Sequence, residues 1–223
     1  MVVTIDGPSG AGKSTVSRSL ASELGFAYLD TGALYRAVAL AATVSGMEQE
    51  KSEAMIAAWL TRVDIAAKPE SGRFVVYLDD RDVEPFIRNE EIGGIASRLS
   101  AMAPVREFLL DLQRKAGQSG DLVAEGRDMG TVVFPEAEVK FFLVADDAER
   151  ARRRYEELKP TQPELILETV LRELKVRDER DAGRSVAPLA PARDAVVIDS
   201  TEISADQVVA IMRDQVKSAQ NTI

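Results

Sequence analysis

The chain has no cysteine and no histidine among its 223 residues. Without cysteine there is no disulfide, no thiolate nucleophile and no Cys-based zinc site. Without histidine the commonest general base and the commonest transition-metal ligand are both missing. Chemistry here must run on Asp, Glu, Lys, Arg, Ser, Thr, Tyr, backbone amides and a hard cation such as Mg²⁺. That set suits phosphoryl transfer better than acyl transfer.

Other features are scarce. Aromatic residues make up 5% of the chain, and no run approaches the 18 apolar residues of a membrane span. The start, MVVTIDG, has no basic region followed by a long apolar one, so it reads as a core strand and the expected location is the cytoplasm. The formal net charge is −9, which argues against a nucleic-acid partner. Apolar residues reach 45%, enough for a sizeable core in one large domain. Of the 28 basic residues, 20 are Arg. Arg grips phosphate and carboxylate with a planar fork, although coding-sequence bias gives the same count. Positions must decide.

Val2–Ile5 is a short β-branched run, and 14–24 carries an apolar helical stripe that stops at Gly25. Phe26–Leu29, 122–124, 139–144 and 195–198 read as further buried strands, alternating with helices over 33–44, 50–61 and 105–116. Asp146 with Glu149 marks an N-cap pair for a helix to about Leu158, and a long helix resumes over 164–181. Ser204 with Gln207 reads as a capping box for a last helix whose inner face holds Val208, Ile211, Met212 and Val216. The run 72–83, with Asp79-Asp80 at its turn, reads as a β-hairpin inside an insertion of about residues 64–100. The pattern predicts an α/β three-layer fold, with a parallel five-stranded sheet flanked by helices.

Gly7-Pro8-Ser9-Gly10-Ala11-Gly12-Lys13-Ser14 fits G-x-x-x-x-G-K-[ST] and lies between a strand and a helix. In such a P-loop the glycines let backbone N–H groups face phosphate oxygens, as does the helix N-terminus. Lys13 would reach the β- and γ-phosphates, and the Ser14 hydroxyl would ligate Mg²⁺. A Gly-rich β-to-α turn without a ligand is the bland alternative. GTPases would add N-K-x-D, which is absent, and no clean Walker B strand follows.

Asp30-Thr31-Gly32-Ala33-Leu34-Tyr35-Arg36 opens a helix after the second strand. It serves equally as an anion site or as an N-cap with surface Tyr and Arg. Gly126-Arg127-Asp128-Met129-Gly130 sits at the C-terminal edge of a core strand, where open α/β sheets bind ligands. Arg150, Arg152, Arg153 and Arg154 crowd one segment, and Arg177, Arg180, Asp181 and Arg184 share a second helix face. The first group is either an anion site or a solvated helix face balanced by Glu156 and Glu157; the second is either an anion site or an ion-pair ladder with Asp178 and Glu173.

Together these residues resemble the bacterial cytidylate (CMP/dCMP) kinases, nucleoside monophosphate kinases with a P-loop. The matching blocks are IDGPSGAGKST (5–15), LDTGALYRAVAL (29–40), EGRDMGTVVFP (125–135), RDERDAGRSVAPL (177–189) and VIDST (197–201). The resemblance implies phosphoryl transfer from Mg·ATP to CMP or dCMP. It implies a single P-loop kinase domain: a core (about 1–63, 101–145 and 185–223), a monophosphate-binding insertion (about 64–100) and a mobile lid (about 146–184). ATP would lie on Gly7 to Thr15, with Arg153 or Arg154 approaching its phosphates from the lid. The CMP phosphate would meet Arg36, Arg127 and Arg184, with Thr31 and Tyr35 beside them. Ser97, Arg106 and Asp128 would read cytosine, and Arg177 and Asp181 the sugar. Lys13, Arg127, Asp128, Arg153 and Arg184 would carry the catalytic work. The expected cofactor is Mg²⁺, and the expected state is a monomer without nucleic-acid or membrane partners. Other P-loop kinases, an ATP-binding regulatory module and a nucleic-acid-linked ATPase are the competing readings.

Overall fold

A computed structural model describes residues 1–118 and 120–221. The chain runs β1 (Val2–Asp6), α1 (Lys13–Leu24), β2 (Ala27–Asp30), α2 (Thr31–Ser45) and α3 (Glu53–Leu60). An excursion follows: β3 (Ile65–Glu70), β4 (Arg73–Leu78), β5 (Arg81–Asp82), α4 (Glu84–Ile87) and α5 (Glu90–Leu99). Next come α6 (Ala103–Gly117), β6 (Leu122–Gly126), a π-helical turn (Met129–Val133) and β7 (Val139–Val144). α7 (Asp147–Leu158), α8 (Leu167–Ala182), β8 (Val196–Asp199) and α9 (Ala205–Gln220) complete it.

Five strands, in the order β2-β6-β1-β7-β8, are mutually parallel, as expected. The sheet is nevertheless eight-stranded rather than five-stranded. Tyr28 N donates to Gly72 O at 3.0 Å, which fastens β4 to the free edge of β2. β3 and β5 then pair antiparallel with β4. Both turns in this meander are two-residue loops with positive φ at each position: Ser71 and Gly72, then Asp79 and Asp80. Such turns match the natural strand twist. The hairpin over 72–83 was legible, but β3 was not, because Ala66, Ala67, Lys68 and Pro69 carry little strand preference. Pro69 is tolerated because β3 is an edge strand.

Alternate residues of the central strands feed opposite layers. Val123 joins the cluster under α1 and α9, whereas Leu122 and Ala124 join Leu29, Phe74 and Met129. Burial on both faces explains why these strands read as unbroken apolar runs. A third cluster joins α2, α3 and α6 to Val76, Ile87, Ile92, Ile95 and Leu99. Ala151, Val170 and Leu174 form a small separate cluster between α7 and α8.

Three local expectations change. α3 begins at Glu53, not Glu50, because the Ser52 hydroxyl accepts from Met55 N and so caps it. Asp146 does cap α7 through Ala148 N, but Glu149 turns to Arg152 and Arg153 instead. Ser204 and Gln207 form the expected capping box, yet Ile211 is exposed while Val209 is buried. At about 100° per residue, Val208, Val209, Met212 and Val216 share one face, and Ile211 falls outside it.

Candidate active site

The site lies along the C-terminal edge of β1, β2 and β6. Gly7 could carry no side chain, since a Cβ there would fall 2.1 Å from Leu143 O. Gly10 and Gly12 adopt left-handed φ of 77° and 90°, so the loop curls back on itself before α1. Lys13 Nζ donates to Pro8 O at 2.6 Å across that curl. Ser14 and Thr15 follow on the exposed first turn of α1. Burial pushes the Lys13 ammonium well below its usual range, and the Arg127 charge adds to the effect.

Arginine 150 braces this loop from outside. Its buried guanidinium donates to Ser9 O at 2.9 Å and pairs with Asp178 at 2.6 Å and Asp147 at 2.5 Å. The four neighbouring arginines therefore divide by task. Arg150 anchors, Arg152 pairs with Glu149 and Glu156 at the surface, and Arg153 and Arg154 turn inward. Arg153 donates to Ser200 O at 2.6 Å and lies beside Gly12. Arg154 pairs with Glu90 at the start of α5, so α7 touches the excursion across the site.

A continuous polar network lines the opposite wall. Buried Arg106 pairs with buried Asp128 and also donates to Ser100 O at 3.1 Å. A buried ion pair seldom adds stability over an apolar pair of similar volume. Tyr35 lies under the Arg106 guanidinium, 5.4 Å from centroid to carbon, and its phenol is pushed up to about 12 by burial. Arg180 Nη1 donates to Ser97 Oγ at 2.7 Å, and Arg184 Nη2 to Ser100 Oγ at 2.9 Å. Asp181 accepts from Arg127 at 2.9 Å and pairs with Arg184. Burial pushes Asp181 up, but the Arg127, Arg184 and Arg177 charges outweigh it and hold the carboxyl below its usual value.

Arg177 lies in this wall with its buried Nε lacking a hydrogen-bond partner among the described residues. Burial, then the neighbouring Arg127 charge, push its pKa down to about 10, with Arg36 and Arg154 adding to the repulsion. Arg36 itself donates to Ile87 O and Asn89 O at 2.9 and 3.0 Å. Thr31 Oγ1 donates to Glu125 O at 2.7 Å. Cations crowd here although the chain is acidic overall, an arrangement that can draw anions from solution.

The structure thus brings Lys13, Arg36, Tyr35, Ser97, Arg106, Arg127, Asp128, Arg177, Asp181 and Arg184 together. Sequence reading missed several partners. Glu90 and Ser100 carry no motif. Arg180 was grouped by helical spacing but given no role. Glu125 stood in the matched block, and its carboxyl, bonded to Tyr28 and within hydrogen-bonding reach of Ser14, is raised chiefly by burial. Asp6 stands in the matched block 5–15, which gives it no role of its own. No group of three or more carboxylates among the described residues could hold a metal alone.

The Gly-turned loop, the parallel sheet and the converging cations define a P-loop kinase fold. A gluconokinase from Sinorhizobium meliloti 1021 shares that fold with a TM-score of 0.50 at 13% identity, covering 99% of this chain and 94% of that one. A shikimate kinase from Bacteroides thetaiotaomicron does so with a TM-score of 0.51 at 11% identity, covering 97% and 98%. The sequence is more particular: residues 3–218 match the model of the cytidylate kinase family, and the chain belongs to that family. A cytidylate kinase of Citrifermentans bemidjiense is 46% identical over 217 residues, covering 97% of this chain and 93% of that protein. A cytidylate kinase of Vibrio cholerae is 48% identical over 208 residues, covering 93% and 92%.

Proposed function

We propose that this chain transfers the terminal phosphoryl group of ATP to CMP or dCMP, giving ADP and CDP or dCDP. The observation that carries the reading is the cationic crowd of Lys13, Arg127 and Arg177, whose mutual repulsion Glu125, Asp6 and Asp181 offset in part and an anionic ligand would relieve further. The P-loop from Gly7 to Thr15, with Lys13, holds the ATP phosphates, and Arg153 and Arg154 approach them from the lid. Arg36, Arg127 and Arg184 take the CMP phosphate, near Thr31 and Tyr35. Ser97, Arg106 and Asp128 read the base, and Arg177 with Asp181 holds the sugar.

The transition state is loose and charge-rich, so positioning and electrostatic stabilisation supply most of the catalysis. The acceptor is a phosphate oxygen, largely unprotonated at neutral pH because the second pKa of a phosphomonoester is about 6. No strong base is needed, in keeping with a chain that has no histidine. Asp128 orients the acceptor.

The Ser14 hydroxyl beside the Glu125 carboxyl offers hard oxygens and few of them. That suits Mg²⁺, which keeps several waters and takes phosphate oxygens. Ser14 would hold it, and the ion when bound would neutralise phosphate charge.

We assign residues of about 64–100 as the monophosphate-binding insertion, about 146–184 as the lid, and the rest as core. The contacts Arg154–Glu90, Arg180–Ser97 and Arg184–Ser100 support a lid that closes on the insertion and excludes water. No helix among the described residues is long and apolar enough to cross a membrane. A cytoplasmic monomer serving pyrimidine nucleotide metabolism is the setting we assign. ADP release with a panel of acceptors tests the reading: CMP and dCMP should turn over fast, and UMP, AMP, GMP and shikimate should not.

A further inference from the structure

Asp6 ends β1, is buried, and is not needed by any step above. Its two carboxylate oxygens accept from two consecutive backbone amides, Met129 N to Oδ1 and Gly130 N to Oδ2, each at 2.8 Å. Those amides open the π-helical turn, and the first amides of any helix lack partners within it. The residue at the N-cap position normally supplies the missing acceptor from its own side chain. Here that residue is Asp128, and its side chain makes no capping bond. It pairs with Arg106 instead.

We infer that Asp6 is a positioning residue for the acceptor site: it caps the π-turn in place of Asp128, and so frees Asp128 to face Arg106 and the acceptor base. The inference rests on the reading of Asp128 as an acceptor-base contact. The surroundings leave the turn little freedom. A Cβ at Gly126 would meet the Met129 side chain at 2.8 Å, and one at Gly130 would meet Thr4 Oγ1 at 3.0 Å. Asp128 O further accepts from Val132 N at 2.9 Å and Val133 N at 3.2 Å. With Asp6 unable to accept both amides, the nearest replacement cap is Asp128 itself, which would then leave Arg106.

The test uses the full chain and a double-mutant cycle of Asp6→Asn and Asp128→Asn. Asparagine keeps the shape of Asp6 but accepts through one oxygen only. Asp6→Asn should raise the KM for CMP roughly tenfold and leave the KM for ATP within about twofold. Because both residues act through one contact, the double variant should be no worse than Asp128→Asn, within about twofold. Amide exchange at Met129 and Gly130 should be slow in the unaltered chain and faster in Asp6→Asn.

Multiplying losses in the double variant would overturn the inference, as would an equal rise in the KM for ATP. Rapid exchange of those two amides in the unaltered chain would overturn it without any variant. If Asp128→Asn impairs CMP use and Asp6→Asn does not, the Asp6 role alone fails. If Asp128→Asn leaves CMP use intact, the base-contact reading fails first and the Asp6 role with it.

Discussion

Arg184 Nη2 donates to Ser100 Oγ at 2.9 Å, joining the segment after α8 to the end of α5. The same guanidinium pairs with Asp181, and its Nε is buried without a partner among the described residues. Burial pushes its pKa down, with the Arg106 and Arg127 charges adding to that and Asp181 opposing it. An arginine held this way offers a preoriented donor to an incoming phosphate. Arg184→Ala should lower kcat/KM for CMP on the order of a hundredfold, the usual cost of losing one preorganised charged donor. The KM for ATP should stay within about threefold. Steady-state kinetics with each substrate varied in turn checks this, and equal losses for both would reject the assignment.

Lys13 Nζ bonds across the P-loop curl to Pro8 O, while Arg150 holds Ser9 O from outside the loop. Lys13→Ala should reduce kcat roughly a thousandfold or more. Only one hydrogen bond is lost to the fold, so the thermal midpoint should move by a few degrees. A variant that is active would end the P-loop account.

The buried Asp6 carboxyl titrates near 6, raised from 3.8 chiefly by burial and partly by the Asp128 charge, against the pull of the two amides and Lys13. The native state therefore keeps this proton to higher pH than the unfolded chain does. Its contribution is present in full below pH 3.8 and is lost as pH rises through about 6. Relative to Asp6→Asn, the protein should lose about 3 kcal/mol of stability across that window. Urea unfolding of both proteins from pH 4 to 7 measures it, and parallel curves would contradict it.

Much of this was legible because some positions admit few residues. Gly7 and Gly12 are required by a close approach and a left-handed φ, so the P-loop declared itself. The central strands are buried on both faces and read as apolar runs. What stayed hidden depends on contacts distant in sequence. β3 exists because β4 is there to pair with it. Asp6 matters through amides 123 and 124 residues away. Arg180 differs from a surface arginine only because Ser97 of α5 lies within its reach. The π-turn has no periodic signature, since its geometry is fixed by Asp6 and the crowding at Gly126 and Gly130.

The Arg154–Glu90 pair and the two serine contacts draw α7 and α8 against α5. Amides of the segment 146–184 should exchange more slowly when ATP and CMP are both bound than when neither is. Arg154→Ala should weaken that protection. Exchange unchanged by the two nucleotides together would remove the lid assignment.

The most direct measurement is the initial rate of ADP release from Mg·ATP with CMP, dCMP, UMP, AMP, GMP and shikimate supplied separately. CMP and dCMP should turn over fast, and the others at rates at least roughly a hundredfold lower, because a site built to hydrogen-bond one base edge rejects those that leave its buried groups unpaired. Comparable turnover with UMP, AMP or shikimate would contradict the roles given to Ser97, Arg106 and Asp128. ATP binding without turnover of any acceptor would contradict the kinase reading itself.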